Sequence, residues 1–151
     1  MDVDVVAARW KLDLVLSDEL AELAAEMLAD GYESPSLIEL ASTPVSDLTR
    51  EGPRLLERAL VELERALPSV EQAVLTLARV YAEAIVTAEI APYHGASAIW
   101  GLSNKLHDVP DDLLLFVGLA SEWEDNPACR AEYEDDIRAA ARDFVVRTPP
   151  R

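Results

Sequence analysis

A single cysteine, two histidines, two lysines and five glycines stand in a chain of 151 residues, and each scarcity excludes something. Cys129 has no second thiol to pair with, so an intramolecular disulfide is impossible and a secreted disulfide scaffold is excluded. His94 and His107 belong to no His-Glu-x-x-His or Glu-x-x-His pattern, and no paired cysteines help them, so neither a zinc site nor a helical di-iron site is expected. The few glycines form no phosphate-cradling loop and no Gly-x-Ser-x-Gly elbow. Alternating runs of Val, Ile, Thr and Tyr are too short for sheet. No uncharged apolar run reaches about 18 residues, so no transmembrane helix is expected. The opening Met-Asp-Val-Asp lacks the basic and apolar regions of a signal peptide, which makes the cytoplasm the expected location.

Half of the residues are hydrophobic, which is the composition of a folded protein. Alanine, leucine and glutamate dominate, and all three favour helix. Eleven arginines against two lysines, with abundant alanine, suggest a GC-rich bacterial source. The formal charge is −16, from 29 acidic and 13 basic residues. Such a surface repels phosphate backbones and anionic lipid, so neither nucleic acid nor a membrane is the expected partner. A basic protein is the attractive counterpart. Solubility alone would also account for the charge.

The organising stretch runs from Ser69 to Ala91, bracketed by Pro68 and Pro92 with no proline between. On a helical projection its polar residues, among them Glu71, Arg79 and Glu83, fall on one arc of about 160°. The remainder is apolar. The expected architecture is therefore an all-α, single-domain bundle of seven or eight helices around a central buried helix 69–91. Arg79 and Glu83, one turn apart, should mark its exposed or pocket-facing strip.

Other helices are expected at 3–10, at 18–30 with Ser17 as N-cap and Gly31 as stop, and after Ser34-Pro35. Residues 42–54, with Thr43-Pro44 and Gly52-Pro53, read as a flexible connector. A helix over 53–67 follows, burying Leu55, Leu56, Leu60, Leu63 and Leu67, and should turn tightly into the central helix and pack antiparallel to it. Three more helices occupy the remainder, the last introduced by Asn126-Pro127, and 148–151 form a frayed tail.

The strongest compositional feature is acidic. Between Glu122 and Asp136, seven of fifteen residues are carboxylates: Glu122, Glu124, Asp125, Glu132, Glu134, Asp135 and Asp136, with Arg130 the sole base. On one helix Glu132, Asp135 and Asp136 crowd a single face, where like charges cost a few tenths of a kcal/mol per pair. A solvated face explains this; so does a docking surface for a basic protein. Calcium fits poorly, because EF-hand spacing and its glycine are missing. Cys129 near a helix start could have a lowered pKa, but Glu124, Asp125 and Glu132 oppose that. Trp100 and Trp123 fall at core positions; exposed beside the acidic cluster, either would read as an aromatic anchor ringed by charge.

Three stretches carry a resemblance: Gly31-Tyr32-Glu33-Ser34-Pro35-Ser36-Leu37 through Ala41, Ile90-Ala91-Pro92-Tyr93-His94-Gly95-Ala96 through Trp100, and Leu115 through Asp125 continuing to Tyr133-Glu134-Asp135-Asp136-Ile137. Together they resemble a set of small, all-helical bacterial proteins of unknown function, common in actinomycetes. The resemblance implies a helical fold and brings no activity, cofactor or catalytic residue. The leading functional expectation is thus a non-enzymatic, acidic interaction protein, an immunity or antitoxin-like inhibitor among its forms, binding a basic protein through Glu122, Glu124, Asp125, Glu132, Asp135 and Asp136. No catalytic residue, cofactor or metal is assigned. A small-ligand binder or enzyme with a site assembled from several helices is the alternative, and a structural homodimer is another.

Overall fold

The computed structural model describes residues 1–149. They form eight α-helices, two 3-10 turns and no strand, so the chain is all-α as its composition predicts. The expected frayed tail lies partly outside the described residues, at 150 and 151. The helices gather into two compact units, Met1–Ser69 and the chain from Val70 onward. No helix among the described residues is long and apolar enough to cross a membrane.

The first unit contains α1 (Val3–Lys11), a 3-10 turn (Ser17–Glu19), α2 (Leu20–Ala29), α3 (Pro35–Ala41) and α4 (Val45–Glu62). One face of each helix meets in a single cluster: Val6 of α1, Leu20 and Met27 of α2, Leu37 and Leu40 of α3, and Leu48, Leu55, Leu56 and Leu60 of α4. Ser34 caps α3 through its side chain, accepting from Leu37 N–H, with Pro35 in the first turn, as Ser34-Pro35 predicts. Ser17 does not cap α2. It opens the 3-10 turn, and the Glu19 carboxylate reaches back to the Leu16 N–H at 2.7 Å.

The expected connector at 42–54 is helix from Val45 onward. The apolar ladder explains this. Leu48, Gly52, Leu55, Leu56, Ala59 and Leu60 lie at helical spacing and are all buried. Pro53 inside a helix costs about 3 kcal/mol. Burial of each leucine returns about 1.5–3 kcal/mol, so tertiary packing overrides the local breakers. Gly52 sits against Leu20, and a Cβ there would approach Leu20 Cδ1 to 2.7 Å. The helix stops at Glu62, short of 67, and Leu67 is exposed.

The second unit contains α5 (Val70–Val86), α6 (Pro92–Ser103), α7 (Asp111–Asp125), a 3-10 turn (Pro127–Cys129) and α8 (Arg130–Arg147). Each helix packs on two neighbours or more, α5 on α6 and α8, and α7 on α6 and α8. Phe116 and Phe144 meet edge to face at the centre, with ring centroids 5.9 Å apart. Gly95 lets α6 approach α5 closely, because a Cβ there would collide with Ile85. The helix expected at 69–91 is shorter and less enclosed than its periodicity suggests. It buries Ala73, Val74, Leu77, Ala78, Ala82 and Ile85, while Val80, Tyr81 and Val86 stay exposed. It ends at Val86 because Ala88 adopts φ +60° and the chain reverses there: Ala88 N–H bonds to Ile85 C=O, and Glu89 N–H to Ala84 C=O.

Candidate interaction surface on the second unit

The N-terminus of α6, the C-terminus of α7 and the first turns of α8 meet at one end of the second unit. Three side chains converge there on Trp123. The Tyr93 ring stacks on it with centroids 3.9 Å apart and planes 9° from parallel. The Arg130 guanidinium lies 3.9 Å from the Trp123 ring, and its Nε donates to the Trp123 carbonyl at 3.2 Å. Trp123 Nε1 in turn donates to Glu134 Oε1 at 3.3 Å. Each position follows from local structure. Pro92 starts α6 and places Tyr93 one residue inside it. Asn126 ends α7, its Nδ2 donating to the Glu122 carbonyl at 3.0 Å, and the Pro127–Cys129 turn redirects the chain so that Arg130 folds back over Trp123.

The six carboxylates singled out by sequence divide into two groups. Glu122 Oε2 accepts from Asn126 Nδ2 at 2.9 Å and from Tyr133 Oη at 3.2 Å. Glu124 Oε1 accepts from Tyr93 Oη. Asp135 pairs with Arg138 at 2.9 Å. Glu124 and Glu122 thereby tie α7 to α6 and to α8, whereas the Asp135–Arg138 pair lies within α8. Asp125, Glu132 and Asp136 are exposed and have no hydrogen-bond or ion-pair partner among the described residues. The bonded carboxylates raise the pKa of the phenols that donate to them: hydrogen bonding to Glu124 comes first for Tyr93, and burial followed by hydrogen bonding to Glu122 for Tyr133. Both tyrosines therefore stay neutral donors at physiological pH.

Tyr93, Arg130, Tyr133 and Glu134 are structural partners of this surface that the sequence pattern did not single out as such. One signal could have found Tyr93. It and Trp123 lie symmetrically about Asp108, in the turn between α6 and α7, so an antiparallel pair brings them level. Trp100 is half-buried on α6, away from the carboxylates in sequence. His94 is exposed with its ring tilted against Tyr93, and His107 is exposed in the bend before α7. No three His, Cys, Asp or Glu side chains converge in a way that could hold a metal ion, among the described residues. Cys129 is half-buried and closes the turn before α8.

Beside this surface runs a groove of ≈ 340 Å³. Ile85, Ile90 and Pro92 line its apolar part, and Glu89, Glu134 and Arg138 its polar part. Glu134 thus belongs both to the groove and to the Trp123 cluster. Comparison of the chain with known protein-family models, with curated proteins and with solved structures finds no match.

Proposed function

We propose that the protein is a non-enzymatic interaction module whose α7–α8 end binds a basic protein, in the manner of an immunity or antitoxin-like inhibitor. The observation that carries this reading is the exposed trio Asp125, Glu132 and Asp136, unpaired among the described residues, beside Trp123, a half-buried ring held rigid by Tyr93, Arg130 and Glu134. A rigid aromatic with a charged rim is the composition of an interface hot spot. Asp125, Glu132 and Asp136 supply carboxylates that no cation among the described residues neutralises. Net charge of −16 would steer a basic partner toward the surface. The resemblance to small helical actinomycete proteins is compatible with this reading and adds no partner to it.

The test is affinity capture of a basic partner followed by titration with both purified proteins. The triple variant D125K/E132K/D136K should weaken the complex by about tenfold or more, and raising the salt should weaken the parent complex steeply. Capture of no basic partner, or a complex indifferent to both charge reversal and salt, counts against the reading.

A homodimer is the second reading, favoured by Leu114 and Leu115 of α7, which are 46% and 49% exposed. Light scattering that gives a monomer at every concentration removes it.

A further inference from the structure

We infer that the groove beside Trp123 is an arginine socket: it receives one arginine side chain of the basic partner, the methylene stem against Ile85, Ile90 and Pro92 and the guanidinium between Glu89 and Glu134. This inference rests on the interaction reading given above and names where on that surface the partner is held. Four observations carry it.

First, the groove has the two-part chemistry of an amphipathic cation. Ile85 and Pro92 are buried and Ile90 half-buried, while Glu89 is exposed at its border. Long basic side chains bury their aliphatic stems on such surfaces and keep the charged head at the edge. Second, its carboxylates are available. Among the described residues Glu89 has no hydrogen-bond or ion-pair partner, and Glu134 uses only Oε1, toward Trp123 Nε1, leaving Oε2 unbonded. Third, the backbone that shapes the groove is fixed. The turn after α5 is closed by the Glu89 N–H and Ile90 N–H bonds to the Ala84 carbonyl, at 2.9 and 3.3 Å, and by Pro92 at the start of α6. Fourth, the charge is complementary. Among the described residues Arg138 is the one cation lining the groove, and Asp135 holds it at 2.9 Å. Arginine suits the site better than lysine, because its planar, weakly hydrated head can present donors to two carboxylates at once.

The test uses the full chain and three short labelled peptides of identical neutral sequence that differ at one central residue: arginine, lysine or citrulline. The expected order of affinity is arginine over lysine, with citrulline weaker than arginine by about tenfold or more. E89Q and E134Q should each weaken the arginine peptide by about fivefold. E71Q and D108N remove the same charge elsewhere on the unit and should change it by less than about twofold. R138Q should strengthen binding, and R142Q, an equal charge change on the exposed side of α8, should strengthen it less. If E71Q and D108N weaken the arginine peptide as much as E89Q and E134Q do, the socket is overturned while attraction of basic ligands to the acidic surface stands. Equal binding of the arginine and citrulline peptides overturns the socket. If, in addition, no basic partner is captured, the interaction reading falls with it. Circular dichroism of each variant confirms that loss of binding is not loss of fold.

Discussion

Arg79 of α5 donates from Nη1 to the backbone carbonyl of Val145, at 2.7 Å, and pairs through Nη2 with Glu83 at 2.8 Å. On a helical projection Arg79 and Glu83 mark an exposed or pocket-facing strip, and Glu83 is indeed half-exposed. The Arg79 side chain is only 15% exposed, and its target is a carbonyl in the last turns of α8. Such carbonyls lack intrahelical partners, and a cation beside them also complements the helix dipole.

Removing that guanidinium should therefore cost more than removing its visible ion-pair partner. R79M keeps most of the aliphatic stem and should lose about 1.5–3 kcal/mol, the scale of a charge-assisted hydrogen bond. E83Q removes an ion pair to a half-exposed carboxylate and should lose less than about 1 kcal/mol. Urea midpoints at an unchanged slope check both. Equal losses for the two variants would show that the Val145 contact contributes nothing beyond the pair.

Among the described residues four helices end on a residue with positive φ, and only one of these is glycine. Gly31 follows α2 at φ 94°, whereas Asp13, Glu64 and Ala88 follow α1, α4 and α5 at φ 57°, 58° and 60°. The same pair of closing hydrogen bonds occurs at each, for example Glu64 N–H to Val61 C=O and Arg65 N–H to Leu60 C=O. L-residues pay a steric penalty in this conformation that glycine avoids. A88G and E64G should each stabilise by about 0.5–1 kcal/mol, and G31A should destabilise by a similar amount. Chemical denaturation decides it; a loss on A88G would mean the side chain contributes more than the backbone strain costs.

These caps show where the sequence was readable. Gly31 and Ser34-Pro35 announce helix boundaries by residue type, and the structure places both where their chemistry says. Asp13, Glu64 and Ala88 carry no such signal, so periodicity alone carries the C-terminal ends of α4 and α5 about five residues too far, to 67 and 91 where the helices stop at Glu62 and Val86. At 42–54 the local signals point the other way: Gly52 and Pro53 mimic a loop, and only the Leu48–Leu55–Leu56 ladder, set in tertiary contact, reveals the helix. At the candidate surface the carboxylates were visible as composition. Which of them are occupied is legible only for Asp135, whose partner Arg138 is an i,i+3 neighbour on α8; the occupants Tyr93 and Tyr133 are set by the packing of α6 and α8 against α7.

The remaining glycines separate close packing from open surface. G95A would push a methyl into Ile85, which is buried and has little room to move, so the loss should be about 1–3 kcal/mol. G101A and G118A meet nothing within 4 Å and lie inside helices, so each should gain up to about 1 kcal/mol. Thermal melts of the three variants test the contrast. Destabilisation by G101A or G118A in the isolated chain would contradict the open space around them.

Glu62 couples the first unit to pH. At the end of α4 its carboxylate accepts from Ser36 Oγ at 2.8 Å, from Ser34 Oγ at 3.1 Å and from Ser36 N–H at 3.2 Å, at the start of α3. Hydrogen bonding to Ser36 is the main cause that holds its pKa below the usual carboxylate value of 4.5, against a smaller opposing effect of burial, with Ser34 and Arg58 assisting. Because the folded state lowers this pKa, the bonded carboxylate adds stability above about pH 4.5. That contribution fades as pH falls below 4.5 toward the lower folded value, where the unfolded chain takes up the proton first. E62Q keeps the size of the side chain and removes the titration. Its urea midpoint should lie below that of the parent at pH 7, and the gap should narrow as the pH is lowered to 3. A gap that stays constant from pH 7 to 3 would assign the loss to packing and leave the charge of Glu62 without a part in holding α3 to α4.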